Sequence, residues 1–72
     1  MKPPPASAGY WFVLDAFLEG TIHVYFNVIY ADHAKEVHQM LIDNKYDADI
    51  RFSGLGKMGR DEMEITVRGH LN

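Results

Sequence analysis

The stretch YWFVLDAFLEGTIHVYFNVIY, Tyr10 to Tyr30, decides how this chain is read. It is dense in aromatic and β-branched residues and is broken once, at Glu19-Gly20-Thr21, a pattern that predicts two strands joined by a hairpin. A loop holding those three residues sets Leu18 against Ile22, Ala16 against Val24, Leu14 against Phe26, Phe12 against Val28 and Tyr10 against Tyr30. All are apolar or aromatic, so this register gives one continuous core face. A two-residue loop would place Asp15 against Val24 and bury a carboxylate, so the longer loop is preferred.

Downstream the period changes. Between Asp32 and Asn44 the residues Ala34, Val37, His38 and Leu41 fall on one helical stripe, with Asp32 at the N-cap and Asn44 near the C-cap. A second pair of alternating segments follows. Ala48, Ile50 and Phe52 point inward from the first, Met63, Ile65 and Val67 from the second, while Asp49, Arg51, Glu62, Glu64, Thr66 and Arg68 point to water. The predicted fold class is α+β: a single small domain of order ββαββ, with a four-stranded, mainly antiparallel sheet and one helix packed on one face. The domain spans residues 10–72. Residues 1–9, with Pro3, Pro4 and Pro5, are expected to form an extended or disordered arm, because consecutive prolines donate no backbone hydrogen bonds.

One helix covers one sheet face only, so the other must be solvated or meet a partner. On the first hairpin that face would carry Trp11, Val13, Asp15, Phe17, His23, Tyr25, Asn27 and Ile29. Such a run is too apolar for a simple solvated surface, and Trp and Tyr are frequent anchors of protein interfaces. Trp11, Val13, Phe17, His23, Tyr25, Asn27 and Ile29 are therefore the candidate partner-binding residues. Three occupants fit such a face: a second copy of the chain, a foreign protein, or the N-terminal arm folded back.

The chemical motifs are thin. Gly54-Leu55-Gly56-Lys57-Met58-Gly59 matches G-x-G-x-x-G in form, but a strand follows where a phosphate site needs a helix N-terminus. It reads as a hairpin loop whose Lys57 and Arg60 make a secondary, locally basic contact. The histidines His23, His33, His38 and His70 lack a metal-ligand spacing, and His38 reads as a core-edge histidine bonded to a neighbour. His23 and Asp15 have no Ser or Cys nucleophile beside them. Asp43, Asp47, Asp49, Asp61, Glu62 and Glu64 read as solvated carboxylates, because so small a sheet seldom encloses a catalytic pocket. No catalytic residue, metal site or cofactor is expected.

Composition narrows the remaining classes. The 72 residues suffice for one domain, and 47% hydrophobic with 24% charged residues is typical of a folded chain. With no cysteine, disulfide scaffolds and thiol chemistry are excluded and a reducing compartment fits. The net charge of -3 argues against a duplex-DNA binder. No uncharged run is long enough for a membrane helix, and the N-terminus lacks the apolar core of a signal peptide, so a cytoplasmic location without membrane contact is expected. The expected function is a non-enzymatic protein-binding module, an inhibitor or adaptor that also pairs as a homodimer. Small acidic cysteine-free domains of this character include phage-encoded or mobile-element inhibitors of host enzymes such as anti-CRISPR proteins, although no motif ties this chain to that group. The alternative is single-stranded nucleic-acid binding, with sheet aromatics stacking bases and Arg51, Arg68, Lys57 and Arg60 on phosphates.

Overall fold

The structure is a computed structural model that describes residues 5–18, 20–54 and 61–71. It contains helix α1 (Ala6–Phe17), strand β1 (Ile22–Asn27), a 3-10 turn (Val28–Tyr30), helix α2 (Ala31–Asp43) and strands β2 (Tyr46–Ser53) and β3 (Glu62–His70). The α+β class therefore stands, with two helices and a three-stranded antiparallel sheet in place of one helix and four strands. The predicted first strand is a helix.

The physical reason lies in how residues 6–17 bury their side chains. Ala6, Gly9, Tyr10, Val13 and Phe17 recur at spacings of three and four and lie toward the core, the signature of a helical stripe. Val13 is the only β-branched residue in that span, so its strand character rested on aromatics, which also pack well from helices. The helix begins inside the stretch expected to be an extended arm. The Pro5 carbonyl accepts from the Ala8 N–H at 2.9 Å, a use of proline that costs no helical donor. At the other end Gly20 has φ of 122°, a conformation open to glycine, and its N–H bonds to the Phe17 carbonyl at 2.8 Å. The glycine read as the tip of a hairpin thus ends a helix.

The one predicted helix is α2. Ala34, Val37 and Leu41 have no exposed surface. His38 sits at the core edge and its Nε2 is 3.1 Å from the Ala48 carbonyl. The N-cap is Tyr30 rather than Asp32, which falls in the first turn where its charge suits the helix dipole. Asn44 is the C-cap, its Nδ2 donating to the Met40 carbonyl at 2.7 Å, and Lys45 follows at φ 67°.

Sheet order is β1-β3-β2, with β3 antiparallel to both neighbours, so β1 and β2 run parallel with β3 inserted between them. Val24 faces Ile65, Ile65 faces Ile50, and Met63 faces both Phe26 and Phe52. Val24, Phe26, Ile50, Met63 and Ile65 form one core with Tyr10, Val13, Val37 and Leu41, which places both helices on the same side of the sheet. Phe52, expected inward, is 56% exposed, because it lies near the end of β2 beyond the cover of the helices. Gly9 is where α1 meets α2. A Cβ there would lie 2.7 Å from His33 Nε2 and 2.9 Å from Val37 Cγ2, so glycine permits the close approach. No helix among the described residues is long and apolar enough to cross a membrane.

Candidate functional site

Folding 6–17 as a helix redistributes the residues expected to share one sheet face. Val13 has no exposed surface and belongs to the core, and Phe17 packs against it, edge-on to Tyr46. Neither is a free contact residue. Trp11 lies on the helical layer, edge-on to the Tyr10 ring and 61% exposed. His23 and Tyr25 do occupy the open sheet face. Asn27 ends β1, where its Oδ1 accepts from the Ile29 N–H at 3.1 Å, and Ile29 in the 3-10 turn is 74% exposed. Lys57, Arg60 and the glycine-rich loop from Leu55 onward lie outside the described residues.

Two surfaces result. The first is the outer ridge of α1. Its single charge is Asp15, and Trp11, Phe12 and Leu18 are 61%, 63% and 84% exposed. Spacings of three and four put Asp15 between Trp11, Phe12 and Leu18, so the ridge has two flanks. On the Trp11 flank a groove of about 320 Å³ runs between Trp11, Leu14, Leu18, Tyr46 and His70. On the Phe12 flank a groove of about 360 Å³ lies along β1, lined by Ala16, Ile22, Val24 and Tyr25. The hairpin reading turned Phe12 and Leu18 inward and so missed both. Helical periodicity across 6–17 was the signal that could have found them.

The second surface is the open sheet face, and it is ionic. Glu64, at the centre of the central strand, stands between Tyr25 on β1 and Arg51 on β2. It was expected to point to water, yet its side chain is only 5% exposed. Arg51 Nε donates to Oε1, and His23 Nδ1 lies 3.2 Å from Oε2 and 3.1 Å from Thr66 Oγ1. The Arg51 guanidinium holds the Glu64 carboxyl below the usual carboxylate range, with the Tyr25 hydroxyl adding to the effect, against a burial cost acting the other way. In return Glu64 raises the Tyr25 phenol above its ordinary value. At the far end the β2/β3 register slips between Asp47 and Ala48, leaving Arg68 as an extra residue that reaches both Asp47 and Asp49. The face thus carries two ion-pair clusters, Glu64 with Arg51 and Arg68 with Asp47 and Asp49. Its described charges are Asp47, Asp49, Glu62 and Glu64 against Arg51 and Arg68.

What the arrangement offers chemically is apolar contact on one layer and closed ion pairs on the other. No protein-family model, curated protein or solved structure matches the chain.

Proposed function

We propose that the chain is a non-enzymatic protein-binding module, an inhibitor or adaptor, that docks through the Trp11 flank of α1. The observation that carries this reading is a surface helix of 12 residues with one charge, which holds Trp11 at 61% exposure and is followed by Leu18 at 84%. A helix apolar on its outer side as well as its inner side belongs under cover. Burying the exposed part of Trp11, about 150 Å², would contribute about 4 kcal/mol, the scale of an interface hot spot. The groove beside it, toward Tyr46 and His70, gives a partner side chain somewhere to seat. Such a module suits blocking a partner's surface, the mode expected of a phage-encoded inhibitor.

The nucleic-acid alternative draws less support from the same geometry. Trp11 and Phe17 stand on the helical layer, so Tyr25 alone of the three aromatics remains on the sheet face, beside a surplus of carboxylates. The test is affinity capture by wild type and by Trp11→Asp at low and high salt, with circular dichroism on both. We expect one saturable protein partner, insensitive to salt, lost in a Trp11→Asp chain that keeps its fold. Equal capture by the variant, or binding that collapses with salt and follows nucleic acid, refutes the reading.

A further inference from the structure

The strand order leaves β1 at an edge of the sheet, and four features of that edge agree. The first is its outward hydrogen-bonding groups, which have no backbone partner among the described residues. The Val28 N–H donates to the Asp61 carbonyl at 3.2 Å, one step beyond the Asn27 and Glu62 pair, and so continues the β1/β3 ladder. In an antiparallel pair successive residues direct their N–H and C=O to opposite sides. The even-numbered residues of β1 therefore bond to β3, and the backbone groups of His23 and Tyr25 face outward.

The second feature is the lack of edge protection. β1 reads Ile22-His23-Val24-Tyr25-Phe26-Asn27, with no Lys, Arg, Asp, Glu or Pro to repel another strand. The other edge strand, β2, carries Asp47, Asp49 and Arg51, all engaged in ion pairs. Third, the flank has both a knob and a hollow. Phe12 projects at 63% exposure beside the groove along β1, the self-complementary shape that a two-fold contact requires. Fourth, the patch is continuous from strand to helix. Six strand residues and the helix over them span about 20 Å by about 20 Å, a projected face of about 400 Å² to which strand pairing adds directional backbone hydrogen bonds.

We propose that β1 pairs antiparallel with β1 of a second copy, extending the three-stranded sheet to six strands with the two Phe12 side chains packed across the two-fold axis. Keeping the apolar side of both strands on the helical layer requires residues of like parity to oppose one another. The axis then passes through Val24, with His23 opposite Tyr25, or through Tyr25, with Val24 opposite Phe26. In both registers no like charges meet. The inference goes beyond the partner-binding reading, because it uses the Phe12 flank and leaves the Trp11 flank open.

The chain has no cysteine, so single cysteines report the pairing directly. Directly opposed residues stand about 4.5 to 5.5 Å apart at Cα, within disulfide reach. Light scattering of the full chain should give twice 8.2 kDa, and Phe12→Asp should return the mass to a monomer with an unchanged circular dichroism spectrum. Under oxidation, either Tyr25→Cys alone or an equal mixture of His23→Cys and Tyr25→Cys should form a covalent dimer, according to register, while Asp49→Cys on β2 stays monomeric. A single chain mass at every concentration overturns the proposal, as does cross-linking through Asp49→Cys equal to that through β1. A monomer that still captures a partner through Trp11 overturns edge pairing alone. A β1-linked dimer that captures nothing overturns the partner reading alone.

Discussion

Replacing Val13 by alanine removes two methyl groups from a side chain with no exposed surface. Transfer of those groups from the core is worth about 1.6 kcal/mol, and the cavity they leave adds about 1 kcal/mol if it does not collapse. The expected loss is therefore about 2 to 3 kcal/mol, against a total stability of about 4 to 11 kcal/mol for a chain of this size. The thermal midpoint should fall by about 10 to 20 °C. Phe12→Ala, measured at concentrations low enough to keep the chain monomeric, is the paired control, since Phe12 is 63% exposed in the single chain and its loss there should cost less than about 1 kcal/mol. The hairpin reading predicts the reverse, with Phe12 inward and Val13 outward. Urea titrations followed by circular dichroism measure both variants, and an unchanged slope would show that the denatured state is not responsible. A neutral Val13→Ala beside a Phe12→Ala that loses about 2 kcal/mol or more would refute the helix and every surface argument built on it.

Gly9→Leu should be more damaging than its position in a helix suggests, because even the first carbon would press on His33 and on the β-branched Val37. A drop of about 3 kcal/mol or complete unfolding is expected by thermal melting, and a stable Gly9→Leu chain would show that α1 does not pack on α2 this closely. The Glu64 carboxyl is held below its ordinary value of 4.5 in the fold, so its contribution is fully present above that value and is lost as pH falls through the depressed one. Urea midpoints recorded from neutral to acid pH should therefore fall below about pH 4.5, and Glu64→Gln should flatten that slope; an equally steep slope in Glu64→Gln would remove Glu64 as its source.

Legibility followed how strongly each segment's pattern excluded the other period. In α2 the residues Ala34, Val37 and Leu41 recur at helical spacing between polar residues, and a strand would have split them between two faces. In β2 and β3 the alternation of Ala48, Ile50 and Phe52, and of Met63, Ile65 and Val67, likewise admits one reading. Residues 10–18 exclude neither, because apolar side chains fill nearly every position and both periods find a continuous face. Pattern reading fails there for the same reason that the segment matters: its surplus of apolar residues is what leaves Trp11, Phe12 and Leu18 outside.

The candidate site divides in the same way. The chain alone determined one small cysteine-free α+β domain, the identity of α2, β2 and β3, the apolar excess between Tyr10 and Tyr30, and the charged outward face of the second strand pair. These follow from composition and local periodicity, which a single segment carries within itself. Only the tertiary structure decided that β3 lies between β1 and β2, that Gly9 brings α1 onto α2, and that Glu64 is enclosed by Arg51, Tyr25 and His23 rather than solvated. Each of these depends on which distant segments meet, and burial is a property of the meeting. Strand order also determined that β1 lies at a sheet edge, and the helical fold of residues 6–17 turned a strongly apolar stretch into a definite surface with Trp11 on one flank and Phe12 on the other.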